Sequence, residues 1–163
     1  MKNLILPLFL LTTLSYARFT VNEYPMGPSE DITPGKLCEV PDRYRYPERI
    51  GYCERNVSQE QKMEVFENYR KKGFRLNPLN RSSYKIDHYI PLCAGGSNSN
   101  ENLWPQHMSI YSQTDDLEQL GCEIMSLGNI SQAEFIRLLK LAKNDLTQVE
   151  EVRDELIKLR PVR

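Results

Sequence analysis

Residues 84–107, YKIDHYIPLCAGGSNSNENLWPQH, concentrate the side chains of this 163-residue chain that are suited to acid–base chemistry. Both histidines of the chain, His88 and His107, lie in this stretch, and Asp87 immediately precedes the first of them. An imidazole with an ordinary pKa of about 6.5 exchanges protons near neutral pH, which makes His88 a candidate general base. Asn102 adds a polar amide to the same stretch.

Charge is distributed unevenly around these residues. The chain as a whole has a formal net charge of −1, which gives no support to nucleic-acid binding. Residues 41–85 nevertheless carry eleven Lys and Arg against six Asp and Glu, whereas residues 86–126 carry six acidic residues and no Lys or Arg. An acidic pocket attracts a cation and a basic flank attracts phosphates. The pattern therefore indicates a cation site beside an anion-binding surface, with ordinary variation of surface charge as the alternative.

Two short strands are predicted to carry the chemically active residues. Residues 84–90 are rich in aromatic and β-branched side chains and should end as a strand near Pro91, and residues 102–105 form a second strand stopped by Pro105. The Gly-Gly turn between them suits a backbone with positive φ or close approach. The single tryptophan, Trp104, and its neighbour Leu103 are expected to pack the small core that these strands share.

Capping motifs and helical periodicity predict four helices around the strands. A Ser-x-x-Gln capping box opens the first, over residues 58–72, and the second, over 108–127, ends at a glycine. Another capping box opens the third, from 131 to about 143, and the fourth runs from about 145 to 159. Strands and helices in this order indicate an α+β fold.

Residues 1–17 have the pattern of a secretory signal peptide, with a charged start, an apolar stretch and a small-x-small cleavage site ending at Ala17. The apolar stretch is shorter than the roughly 20 residues that a membrane span needs. We therefore expect an exported chain, secreted or periplasmic, that has no membrane attachment after signal removal.

Four cysteines in an exported chain predict disulfide bonds. Three pairings are possible, and Cys38–Cys53 with Cys93–Cys122 is favoured because each pair is close in sequence and brackets one region. The first bridge would pin residues 18–57, which hold several prolines and turn pairs and are expected to form an extended arm.

The segment IDHYIPLCAGGSNSNENLWPQ resembles the His-Asn-His (HNH) nuclease motif, in the form found in exported bacterial endonucleases with a DH-x-I-P-L…G-G-S-N…N-L-W-P pattern. The resemblance is specific over residues 84–107 and extends more weakly to about residue 143. It implies an α+β chain with a ββα-metal core at 84–127, inside a nuclease domain of residues 58–163. Additional helices and the Pro-rich N-terminal arm would surround that core.

The resemblance also implies a role for each residue of the motif. His88 would take a proton from water, Asp87 would bind a metal ion, and Asn102 would hold the loop and orient His88 through its amide. Because neighbours on a strand point to opposite faces, a bulge or the strand end has to let Asp87 and His88 reach one site. The metal is expected to be Mg²⁺, with Mn²⁺ and Zn²⁺ as alternatives, and it would polarise the scissile phosphate.

The chain departs from the motif at its third member, because no histidine lies two turns past Asn102. If a helix starts directly after Pro105, His107, Asp115 and Glu118 fall along one face of it. His107 is then the first candidate for the second metal ligand. Asp115 and Glu118 follow as direct or water-mediated ligands.

The expected activity is metal-dependent hydrolysis of phosphodiester bonds in DNA, with RNA as the alternative substrate and with low sequence specificity. Arg81 and Lys85 are the basic residues expected to hold flanking phosphates. Nothing in the sequence specifies an oligomeric state. The alternative function is a module on the same scaffold that binds nucleic acid or a cell-envelope partner without cutting, which the departure at the third histidine suggests.

Overall fold

The computed structural model describes residues 24–76 and 82–161, and over these residues the fold is α+β, as expected. Four helices and two two-stranded antiparallel sheets are present in the described part of the chain. In chain order the elements are β1 (Arg43–Arg45), β2 (Ile50–Tyr52), α1 (Gln59–Lys71), β3 (Tyr84–His88), β4 (Leu103–His107), α2 (Met108–Ser126), α3 (Gln132–Asn144) and α4 (Val149–Lys158). Short 3₁₀ turns at Leu92–Ala94, Asn100–Asn102 and Leu146–Gln148 connect them. The predicted signal peptide at 1–17 lies outside the described residues.

The helix starts follow the capping motifs of the sequence. Ser58 accepts a hydrogen bond from the backbone N–H of Gln61 at the start of α1, and Ser131 accepts one from Glu134 at the start of α3. Each bond satisfies one of the N–H groups that the first turn of a helix leaves without an intrahelical partner. Both predicted helix starts are therefore confirmed within one residue. No helix among the described residues is long and apolar enough to cross a membrane.

The hairpin of β3 and β4 differs from the prediction at both ends. Strand β3 stops at His88, and β4 continues through Pro105 to His107, so that His107 pairs with Tyr84 and Leu103 pairs with His88. Proline cannot donate a hydrogen bond to a neighbouring strand, but a two-stranded sheet has only edge strands, so Pro105 fits opposite Ile86. Helix α2 begins only at Met108, and not directly after Pro105. His107 therefore precedes the helix and does not share a helix face with Asp115 and Glu118.

The N-terminal arm is more regular than the proline content suggests, because it contains the β1–β2 hairpin. The predicted bridge Cys38–Cys53 forms, with 5.8 Å between the Cα atoms, and encloses this hairpin. Backbone hydrogen bonds also join the arm to the loop between β3 and β4. The N–H of Cys38 bonds to the carbonyl of Gly95, and the N–H of Ser97 bonds to the carbonyl of Lys36.

Helices α2, α3 and α4 pack into one hydrophobic core, and a second cluster lies between α1 and the β3–β4 hairpin. Leu103 and Trp104 are both fully buried in the second cluster, as expected. The predicted bridge Cys93–Cys122 forms and ties the loop after β3 to α2. The two disulfides indicate a non-reducing environment of the extracellular type.

Candidate functional site

The end of strand β3 places Asp87 and His88 on opposite faces of the hairpin. Successive side chains of a strand alternate between faces, and no bulge interrupts the pairing of Asp87 with Trp104 and of His88 with Leu103. The candidate site therefore has two halves. One half surrounds the imidazole of His88, and the other surrounds the carboxylate of Asp87.

The imidazole of His88 is buried and has a defined tautomer. Its Nε2 lies 3.1 Å from Oδ1 of Asn98, whose own Nδ2 donates to the carbonyl of Glu54 at 2.7 Å. The amide nitrogen of Asn98 is thereby committed to Glu54, so an oxygen faces His88 and Nε2 must carry the proton. The lone pair of the neutral ring then lies on Nδ1, which has no hydrogen-bond partner among the described residues.

Burial keeps this imidazole neutral at physiological pH. The residue is 2% exposed, and desolvation of the charged form lowers the pKa of His88 to about 4. The nearby charge of Arg55 acts in the same direction, whereas the hydrogen bond to Asn98 and the charge of Asp87 oppose it. At pH 7 the ring is in the form that accepts a proton.

Asn102 holds the loop between the strands. Its Oδ1 accepts from the N–H of Ile90 at 2.8 Å, and its Nδ2 donates to the carbonyls of Ile90 and Ser97, each at 2.9 Å. It is fully buried and all these bonds go to backbone, so it fixes the loop conformation rather than the ring of His88. The residue that contacts the ring is Asn98, which sequence reasoning missed because an asparagine after Gly-Gly is also an ordinary turn residue.

The glycine pair of the loop is required by geometry. Gly95 has φ of 81°, in the left-handed region that favours glycine. A Cβ on Gly96 would lie 1.8 Å from the carbonyl oxygen of Ile90, closer than any real contact. Close approach of this turn to the end of β3 is what lets Asn102 reach Ile90.

On the other face of the hairpin, Asp87 and Glu118 share a buried lysine. The ammonium of Lys143 lies 3.0 Å from Oδ2 of Asp87 and 2.6 Å from Oε1 of Glu118. It also donates to the carbonyl of His88 at 2.7 Å. Sequence reasoning missed Lys143, because its place near the end of α3 carries no local signal of burial.

The two carboxyl groups of this cluster have opposite pKa shifts. Burial alone would raise the pKa of Asp87, but the positive charge of Lys143 lowers it below its usual range. Burial raises the pKa of Glu118 to about 7, against the opposing charge of Lys143 and with the negative charge of Asp87 in the same direction. Burial alone would lower the pKa of Lys143, but the two carboxylates raise it, so the ammonium stays charged. Glu118 is therefore the carboxyl group of the pair that takes up a proton first.

Of the other two residues expected to bind metal, Asp115 is linked to Asp87 through Lys85, and His107 lies apart from the cluster. Asp115 makes contacts of 2.6 and 2.7 Å with the ammonium of Lys85, which also lies 3.4 Å from Oδ1 of Asp87. His107 pairs with Tyr84 at the opposite end of the hairpin from His88, and its ring stacks on Tyr24 with centroids 4.0 Å apart. It caps α2 by accepting from the N–H of Ser109.

The expected divalent metal does not fit this arrangement. Within residues 24–76 and 82–161 no three His, Cys, Asp or Glu side chains converge as a metal site. Asp87 and Glu118 do converge, but the space between their oxygens holds the ammonium of Lys143. A divalent ion bound there would meet a buried positive charge at contact distance, which is strongly unfavourable in a medium of low polarity.

A basic cleft lies beside the hairpin. Its volume is about 660 Å³, and it is lined by Arg55, Gln59, Lys62, Phe66, Ser82, Tyr84, Lys85 and Ile86. Three of these residues are cationic and none is acidic, and because Lys85 is paired with Asp115, Arg55 and Lys62 supply the charge that attracts anions. Of the two residues predicted to hold phosphates, Lys85 lines the cleft, and Arg81 lies outside the described residues.

The described residues thus bring together a neutral imidazole, a buried carboxylate–ammonium cluster and a basic cleft around one strand, β3. Neither His88 nor Asp87 lines the cleft, and Arg55 is the cleft residue whose charge acts on the imidazole of His88. Comparisons with protein-family models, with curated proteins and with solved structures give no match for this chain.

Proposed function

We propose that the protein is an exported endonuclease that hydrolyses phosphodiester bonds in DNA, with RNA as the alternative substrate and with low sequence specificity. The observation that carries the proposal is the state of His88. Its ring is neutral, its Nε2–H is held by Asn98, and its Nδ1 carries a lone pair without a partner among the described residues. The neutral ring has a lone pair that can accept a proton, and with a pKa of about 4 it becomes an effective base when the charge of a bound phosphate raises that pKa.

The order of elements supports the same proposal. Strand β3, a loop fixed by Asn102, strand β4 and helix α2 follow one another, as the resemblance to ββα-metal (HNH-like) nucleases implies. The disulfides and the sequence of residues 1–17 support export, to the periplasm or out of the cell.

In the proposed reaction His88 acts as the general base. Nδ1 takes a proton from water while the water oxygen bonds to phosphorus, the bond to the 3′ oxygen breaks, and the departing oxygen takes a proton from solvent. The negative charge of a phosphate bound nearby favours the imidazolium form and raises the pKa of His88 during the reaction. Because the side chain is buried before substrate arrives, binding of the nucleic acid has to open a path to Nδ1.

The basic cleft would hold the substrate. Arg55 and Lys62 line it and contribute positive charge, and Lys85 also lines it, although its ammonium is paired with Asp115. Contacts to phosphate oxygens position a nucleic acid without reading its bases, which accounts for the low sequence specificity of the proposed activity.

A second candidate function is a module that binds nucleic acid without cutting it. Two observations favour it, the burial of His88 and the occupation of the Asp87–Glu118 pair by Lys143. The basic cleft would serve this function equally well.

One experiment separates the two candidates. Purified chain starting at residue 18 is incubated with supercoiled plasmid and with labelled single-stranded RNA, and products are followed by electrophoresis beside a binding assay on the same samples. Cleavage that His88→Ala removes while binding persists supports the endonuclease. Binding without cleavage of either substrate supports the non-catalytic module.

A further inference from the structure

Lys143 is a charged residue in the interior that the proposed reaction does not use. Its side chain is fully buried, although lysine is among the residues least often found inside proteins. An unpaired buried ammonium is strongly destabilising, so its partners must compensate for the loss of water.

The surroundings of the ammonium resemble those of a bound cation. Three oxygens from two elements surround it: the carboxylate of Asp87 and the backbone carbonyl of His88 at the end of β3, and the carboxylate of Glu118 on α2. The ammonium donates hydrogen bonds to Oδ2 of Asp87 and to the carbonyl of His88, whereas Oε1 of Glu118, 2.6 Å away, pairs with it by charge and not in hydrogen-bond geometry. Two of the three oxygens belong to carboxylates, which is the donor chemistry that also attracts Mg²⁺ or Mn²⁺.

We propose that Lys143 is a resident cation that occupies the place of a divalent metal and excludes Mg²⁺ and Mn²⁺ from the Asp87–Glu118 pair. The ammonium neutralises one of the two carboxylates, and Lys85, which pairs with Asp115 at 2.6 Å, also lies 3.4 Å from Asp87. A divalent ion would therefore meet a carboxylate pair whose charge is already partly compensated. It would also have to displace a lysine whose side chain has no exposure to solvent.

The same contacts give Lys143 a positioning role. By bonding both the side chain of Asp87 and the carbonyl of His88, it fixes the last two residues of β3 against α3. The exclusion of metal does not rest on the proposed hydrolysis, because it concerns only what the carboxylate pair binds.

The test is a titration with Mn²⁺ followed by electron paramagnetic resonance, which reports free Mn²⁺ directly and needs no enzymatic activity. In the wild-type chain we expect no Mn²⁺ site that depends on Glu118. In Lys143→Met, which removes the charge and keeps an apolar chain of similar length, the two carboxylates are left without their cation. We expect Mn²⁺ to bind this variant at least about tenfold more tightly than it binds the wild type.

Two controls make the result specific. Lys140→Met changes a lysine one turn earlier in α3 whose ammonium bonds to the carbonyl of Pro34, and it should gain no Mn²⁺ affinity. Adding Glu118→Gln to Lys143→Met should remove the gain.

Either of two results overturns the proposal. One is a wild-type Mn²⁺ site that Glu118→Gln abolishes, and this measurement decides the matter even if Lys143→Met does not fold. The other is a folded Lys143→Met with no gain in affinity. Neither result depends on whether the chain cleaves nucleic acid, so failure of this proposal and failure of the proposed function are distinguishable.

Discussion

Replacing His88 by glutamine should change how the stability of the protein depends on pH. The native state keeps the buried imidazole neutral down to about pH 4, whereas the unfolded chain protonates it below its ordinary pKa of 6.5. The stability that His88 contributes through this difference is fully present above pH 6.5. It is lost as pH falls from 6.5 toward 4, because over this range the imidazole of His88 is protonated in the unfolded chain but stays neutral in the native state.

The magnitude follows from the size of the pKa shift. A displacement from 6.5 to about 4 corresponds to about 3 kcal/mol in the free energy of unfolding. Because the residue is 2% exposed, screening by solvent does not reduce this value much. Glu118, with its pKa raised to about 7, acts in the opposite sense, since its contribution is lost as pH rises. It is present in both wild type and His88→Gln, so it cancels in their difference.

The assay is urea denaturation followed by circular dichroism at several pH values between about 7 and about 4. The wild-type free energy of unfolding minus that of His88→Gln should fall by about 3 kcal/mol across this range. His107→Gln is the matched control for the loss of an imidazole, because this histidine sits at the far end of the hairpin from His88, stacked on Tyr24. A difference between wild type and His88→Gln that is independent of pH would refute the reasoning about the buried neutral ring.

Three further predictions concern the loop, the bridge and the cleft. Asn102→Ala leaves three buried backbone groups unpaired and should lower the free energy of unfolding by about 2–4 kcal/mol in the same denaturation assay. Opening the Cys93–Cys122 bridge, which spans 29 residues, by Cys93→Ser with Cys122→Ser should lower it by about 3–4 kcal/mol, and an unchanged midpoint would count against the bridge. Lys62→Gln should weaken DNA binding and reduce the salt dependence of the affinity by about one phosphate contact, as measured by fluorescence anisotropy.

Features that depend on neighbouring residues were the ones that the sequence predicted well. The helix starts at Ser58 and Ser131 follow from a hydroxyl and a backbone N–H three residues apart, so no tertiary information is needed. The two disulfides followed from the short separations of their cysteines. The helix–strand order and the burial of Trp104 likewise follow from local pattern.

The features that were missed depend on how distant elements meet. The prediction that β4 ends at Pro105 was wrong, because the position of a proline at the edge of a two-stranded sheet is not visible in sequence. That extension moved His107 from the face of a helix to its cap. Lys143 meets Asp87 across 56 positions of sequence, and only the packing of α3 against β3 reveals the contact. Asn98 was missed for a different reason, since its role as a turn residue hides its contact with His88.

The most direct test of the central claim is the rate at which His88→Ala and His107→Ala cleave supercoiled plasmid relative to wild type. Both substitutions remove an imidazole, but only His88 carries a buried Nδ1 without a partner among the described residues. We expect His88→Ala to lose at least about 100-fold in rate while remaining folded, and His107→Ala to stay close to wild type. Equal rates for His88→Ala and wild type would contradict the assignment of His88 as the general base.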